Sequence, residues 1–172
     1  VVPPITVDIR GAARNATTPD IGAFEFAPPV CVSPPTPGIA TVTETPVCEN
    51  SLVTLGLDGQ TTGDGQTYQW EASTTINGTY APVSGILTNP SFTVTATSNF
   101  YYRCVVTCSG NSATSTPVLL AVNPALPGGT YVIDQNGGGD FLNFTEVKAA
   151  LACGITGPVV FNVETLSGPS VG

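Results

Sequence analysis

Tyr101-Tyr102-Arg103-Cys104-Val105-Val106-Thr107-Cys108 is the stretch that decides the fold. Its aromatic and β-branched residues suit a pleated, half-buried surface, so it reads as a strand. Residues four apart on a strand share a face, which puts Cys104 and Cys108 on the same side. Cys31 and Cys48 lie upstream. Together the four suggest two disulfides and an oxidising compartment. We expect Cys48 to pair with Cys104 or Cys108 and Cys31 with the other, leaving Cys153 free or paired outside this segment. Spacing alone does not fix the connectivity. Reduced cysteines buried in a core are the alternative.

Working outward, the same kind of segment recurs. Ile39–Glu44, Leu52–Leu57, Gln66–Glu71, a short piece near Tyr80–Val83, Ser91–Ala96, Phe100–Cys108 and Ser112–Val122 are separated by turn residues. About seven strands at spacings of roughly 8–12 residues is the signature of a two-sheet β-sandwich. Trp70 falls on the third strand, where an immunoglobulin-type fold buries a tryptophan. Tyr102 stands two residues before Cys104, in the position of a tyrosine corner. Both are expected core residues. One feature departs from that fold: Leu55 and Leu57 occupy the stretch where the second strand ordinarily carries its cysteine. A bridge from Cys48 would therefore sit toward one end of the sandwich. A fibronectin-like sandwich without disulfides is the alternative architecture.

Composition removes several functions. The 172 residues include four Lys+Arg, twelve Asp+Glu and no His, for a formal charge of −8. Nucleic-acid binding needs clustered Lys and Arg, which are lacking. Without His there is no Ser-His-Asp or Cys-His pair, and without a Cys-x-x-C pair zinc is disfavoured. Hydrophobic residues make up 41% of the chain, which argues against disorder despite the low charge content. No apolar run reaches the ~18 residues of a membrane span. Residues 1–30 lack the pattern of a signal peptide. The chain starts and stops in mid-pattern, and it is expected to be part of a longer protein.

Two Pro-rich stretches divide it: residues 28–38 and 124–129 read as semi-rigid linkers. They separate an N-terminal piece (1–27), a central sandwich (39–123) and a C-terminal piece (130–172). Cys48-Glu49-Asn50-Ser51-Leu52-Val53-Thr54-Leu55, Thr67-Tyr68-Gln69-Trp70 and the stretch 101–108 together resemble immunoglobulin-like modules of large secreted Bacteroidetes surface proteins. The resemblance covers roughly residues 31–122. It implies an adhesin-type surface protein, many of which are exported by the type IX route.

The flanks carry resemblances of their own. Pro19-Asp20-Ile21-Gly22-Ala23-Phe24-Glu25-Phe26 is similar to the closing coil of a right-handed parallel β-helix. Ile21, Ala23 and Phe24 could face the coil interior, and Asp8, Arg10, Arg14 and Asp20 could form a salt-bridged edge. Asp8, Asp20 and Glu25 could in principle pair as catalytic carboxylates, but the motif looks terminal rather than central and carboxylates are common, so no catalytic role is expected of them. At the other end, Gly129–Ile133, the glycine turn around Gly137-Gly138-Gly139 and a helix with Phe144, Val147 and Leu151 on one face resemble the cap of a pectin-methylesterase-type β-helix. Residues 158–163 would be the next strand. That resemblance concerns fold, because the catalytic residues of the group lie on later coils. Isolated flanks would expose unpaired edges and are expected to be ordered only against neighbouring coils or chains.

Remaining motifs carry little chemistry. Asp140 follows the glycines where a phosphate loop needs Lys. Asp134, Asn136 and Asp140 lack the closing glutamate of a calcium loop, so a turn role is expected. Lys148 is expected to be solvated. Asn15, Asn77 and Asn143 begin sequons that mean little in a bacterial surface protein. Tyr80, Phe92, Phe100 and Tyr101 could form a sugar platform, although sandwiches use aromatics first as core. The expectation is therefore all-β: an immunoglobulin-like sandwich between β-helix edge coils, with one capping helix and neither catalytic residues nor cofactor nor metal. It would act as a structural spacer or repeat of an extracellular adhesin or filament. Its partners would be neighbouring domains of the same protein, with surface glycans or other surface proteins as further candidates. The competing functions are a carbohydrate-binding accessory module and the edge of a β-helix lyase or esterase.

Overall fold

A computed structural model describes Thr6, Val7, Ala13 and residues 29–164. The expected closing coil over 1–27, including Asp8, Arg10, Arg14, Asn15, Asp20 and Glu25, falls almost wholly outside the described residues. Within it, Val7 forms an antiparallel bridge to Ala13, and both are exposed.

Among the described residues the chain is all-β apart from a short helical segment. The central strands are β1 (Ile39–Val42), β2 (Val47–Cys48), β3 (Leu52–Asp58), β4 (Thr67–Ser73), β5 (Ala81–Pro82), β6 (Phe92–Thr95), β7 (Phe100–Cys108), β8 (Asn111–Thr114), β9 (Val118–Leu120) and β10 (Val122–Asn123). One antiparallel sheet has the order β1-β3-β6; the other has β5-β4-β7-β8, with β9 also paired to β7. β2 and β10 form a small parallel pair, Val47 beside Val122 and Cys48 beside Asn123.

Alternation decides which side of each strand is buried. On β7, Tyr102, Cys104, Val106 and Cys108 are buried, and the residues between them are only partly so. β4 lies alongside with Tyr68 and Trp70 turned the same way, Trp70 opposite Cys104. Val53 and Leu55 of β3, Ala40 of β1 and Ala96 just after β6 join the same core. Phe92 and Val94 pack against its margin. Trp70 has no exposed surface, and its indole N–H donates to the Pro90 carbonyl at 2.9 Å. A buried indole keeps its packing energy only when that N–H finds an acceptor.

Two departures from the sequence expectation have local causes. The last strand, expected over Ser112–Val122, is broken. Val105 pairs with Thr114 but Tyr102 pairs with Val118, so one extra residue is accommodated between them. Pro117 has no N–H to give the ladder and sits in this bulge. Thr116 turns away to β1, accepting from Ala40 and donating to Gly38. The linker 28–38 is also more constrained than expected. Cys31 donates to Asp64, Asp64 to Pro29 and Thr61 to Thr36, so residues 29–36 are pinned along the 58–66 loop. Gly38 then enters β1 at φ +72°, where a Cβ would strike the Asp58 carbonyl. Only glycine meets both conditions without strain.

The C-terminal piece folds as strand, turn, helix, strand. β11 (Gly129–Ile133) and β12 (Val159–Val163) are parallel and in register from Gly129–Val159 to Ile133–Val163. Between them lie α1 (Phe144–Ala150) and a 3-10 turn, Leu151–Cys153. Asn143 caps α1, accepting from the Glu146 N–H, while Glu146 accepts from Leu142. Asn143 thus serves as the side-chain N-cap, and Glu146 ties the residue before it to the first turn. Of the predicted helix face, only Val147 is buried; Phe144 is 66% exposed and Leu151 is also exposed. Tyr131, Phe141 and Phe161 close a triangle with ring centres 5.7–6.0 Å apart. Such contacts contribute about 0.5–1.5 kcal/mol each beyond area burial. The linker before this piece is held too: Leu126 donates to Gly154 and accepts from Thr156.

Candidate functional site

The chemistry-bearing residues gather at the two ends of the central body. Cys31 is bonded to Cys108, with a Cα separation of 5.9 Å, and Cys48 to Cys153, at 5.2 Å. Cys104 is the free cysteine. The expected pairing is therefore corrected in two respects. Cys48 joins neither cysteine of β7, and Cys153 is a bridge partner rather than a leftover. The pairing of Cys31 with a β7 cysteine stands.

Geometry explains the correction. A bridge needs Cα atoms within about 4.4–6.8 Å. Cys108 ends β7 and lies beside the Cys31 strap: Ser33 donates to the Cys108 carbonyl and accepts from Asn111. Cys48 lies at the opposite end, where Asn50 donates to Ala96 and Val122 donates to Asn99, just before β7 begins. The nine residues of β7 separate the two ends by roughly 27 Å. Cys104 does share a face with Cys108, as the strand spacing required, but that face is the core. It lies mid-strand with no exposed surface, away from both ends.

Burial pushes the Cys104 thiol up to about 12, with the Glu71 carboxylate adding to the rise and a Gln69 backbone hydrogen bond opposing it. A thiol at that value is almost wholly protonated at neutral pH and is no nucleophile. It also makes alkali destabilising. The unfolded thiol ionises near pH 9 while the folded one stays protonated, so the unfolded state binds fewer protons and stability falls as pH rises. The expected loss is about 1.4 kcal/mol per pH unit between roughly pH 9 and 12. Urea melts at pH 8, 10 and 11 should show little change near pH 8, a loss approaching that slope between pH 10 and 11 in the native sequence, and a flatter profile in Cys104→Ala. Equal slopes would refute it.

The remaining candidates are structural. Asp134 accepts from Asn136 and Gly138, and Asp140 accepts from Val132, so both carboxylates serve the glycine turn. Gly139 passes so close to the Val132 carbonyl that a Cβ would clash. No acidic, cysteine or histidine cluster suited to a metal occurs among the described residues. Lys148 is exposed on α1 and Asn143 is its cap.

The four aromatics split into two groups. Phe92 and Phe100 line a cleft of about 390 Å³ between the sheets, together with Tyr102, Val83 and Val94. Tyr102 is buried as expected, and that burial raises its phenol above the ordinary value. Tyr80 lies under the Arg103 guanidinium, 4.0 Å from ring centre, and Arg103 pairs with Glu71 directly across the strands at 2.8 Å. A partly buried cross-strand pair of this kind contributes on the order of 1 kcal/mol. Tyr101 shares this outer face with Arg103 and sits opposite Ser73 and Leu119.

The bridge from Cys48 to Cys153 was not legible in the sequence, because its partners are separated by 105 residues. Two bridges in one chain indicate an oxidising compartment. No helix among the described residues is long and apolar enough to cross a membrane.

Comparison with curated proteins and with solved structures finds no match. A family model does match, over residues 36–124, about half of the chain. That span coincides with the two-sheet body, β1 to β10, and contains Cys48, Cys104 and Cys108 but neither Cys31 nor Cys153. Each bridge thus joins the matched unit to a flank outside it, and the chain belongs to the family described as a domain of unknown function, DUF8696.

Proposed function

We propose that this chain is a structural spacer segment of a secreted bacterial cell-surface protein of the adhesin or filament type. The observation that carries the reading is the placement of the bridges: one at each end of the central body, each tying it to a flanking segment. A module whose covalent ties sit at its entry and exit suits serial connection better than chemistry. The order β1-β3-β6 facing β5-β4-β7-β8, with Trp70 and Tyr102 in the shared core, supports an immunoglobulin-like sandwich. The parallel pair β11–β12 with an intervening helix supports the opening of a parallel β-helix. The resemblance to exported Bacteroidetes modules, type IX clients among them, agrees with an extracellular location. Neighbouring domains of the same protein are then the partners, and no cofactor is required.

A second reading, a carbohydrate-binding module, draws on the cleft lined by Phe92, Phe100 and Tyr102 and on the outer face with Tyr80 and Tyr101. One pair of measurements decides. Antibody against residues 39–123 is expected to label intact cells of the source organism, and the purified chain is expected to bind nothing on a glycan array. Saturable sugar binding lost in Phe92→Ala or Tyr80→Ala would establish the second reading. Labelling only after cell lysis would overturn the first.

A further inference from the structure

The connectivity of the two bridges has a mechanical meaning. The loops they close, 31 to 108 and 48 to 153, overlap. Consider tension entering before Cys31 and leaving after Cys153. The shortest covalent route follows the backbone from Cys31 to Cys48 and then crosses the second bridge to Cys153. Residues 49–152 lie off that route. They include β3, β4, β6 and β7, and hence Trp70, Leu55 and Cys104 at the centre of the core.

We propose that the disulfides form a covalent bypass, with Cys48–Cys153 as its limiting link, that confines stretching of the module to residues 31–48, where Ala40 and Val47 lie, and shields the part of the core contributed by residues 49–152 from tension. Its use in carrying tension rests on the spacer reading; the bypass itself follows from connectivity and would hold in any role. The one central strand lying wholly on the exposed route before β2 is β1, paired to β3 from Ile39–Asp58 to Val42–Leu55. That strand must shear before the segment extends. Extension then stops at the second bridge.

The lengths separate the cases sharply. A fully extended chain spans ~3.5 Å per residue. The oxidised route of about 17 residues therefore gives ~6 nm between positions 31 and 153. Removing the limiting link leaves a detour through Cys31–Cys108 and then about 45 residues, ~16 nm. Removing the other bridge leaves the 17-residue route unchanged. Reducing both frees about 120 residues, ~43 nm.

Optical tweezers on the 172-residue chain, held by peptide tags at its two ends, test this. The flanks add the same length to every arm. Relative to the oxidised protein, we expect C48S/C153S to extend by ~10 nm more, C31S/C108S by no more, and the fully reduced chain by ~37 nm more. An oxidised chain that extends as far as the reduced one overturns the proposal, as does a C48S/C153S chain no longer than the native one. The reduction arm uses the unmutated sequence, so a variant that fails to fold leaves the test standing. Cell-surface labelling tests the spacer reading separately: a chain with the bypass but inside the cell would retain the first conclusion and lose the second.

Discussion

Reducing both disulfides is expected to lower the melting temperature by about 15–30 °C at neutral pH. The bridges close loops of 77 and 105 residues. Chain entropy assigns about 4.5 kcal/mol to a loop of either length, and measured bridges give about 2–4. The loops overlap, so the second closure removes less freedom than the first, and about 4–8 kcal/mol is the expected total. For a folded unit of this size each kcal/mol moves the midpoint by ~2–5 °C. Calorimetry with and without a phosphine reductant measures it. An unchanged midpoint would mean that the cysteines are reduced in the native protein, which would also remove the case for an oxidising compartment.

Trp70→Ala is the second large effect, a loss of about 3–5 kcal/mol. The side chain is fully buried at the meeting of the two sheets, and its removal leaves a cavity walled by strands that cannot collapse independently. It also strands the Pro90 carbonyl, which now accepts the indole N–H. Trp70→Phe keeps most of the volume and loses the donor, so its cost should fall near 1–2 kcal/mol. Against a total stability of about 5–15 kcal/mol, the alanine variant should be marginal and the phenylalanine variant folded. Circular dichroism melts are the suitable probe, because Trp70 is the only tryptophan and fluorescence disappears with it. A loss below 1 kcal/mol for Trp70→Ala would show that it is not central to the core.

What was legible in the sequence was whatever rests on local periodicity. The alternation through 101–108 placed Cys104 and Cys108 on one face, and β7 shows that face buried. The strands near 39, 52, 67, 92 and 100 appear within a residue or two of their expected starts. The turn role of Asp134 and Asp140 follows from short polar side chains beside glycines, again a local matter. The pairing of cysteines was not legible, because it depends on which end of a strand each loop reaches. Cys104 and Cys108 are equivalent by spacing, but one is mid-strand directly across from Trp70 and the other ends the strand. The bulge beside Pro117 is intermediate: the proline marked a break, but only the partner strand shows that Thr116 leaves for β1.

The family boundaries have a practical consequence for anyone expressing this unit alone. A fragment cut at residues 36 and 124 keeps Cys48, Cys104 and Cys108 and discards both of their bridge partners. In air such a fragment carries two unpaired sulfurs near its surface ends, free to cross-link one copy to the next, and a third sealed inside. Ladders of covalent oligomers on a non-reducing gel would then be an artefact of trimming. Starting at residue 29 and ending no earlier than 164 keeps each of the four bridged cysteines with the partner it has in the whole chain.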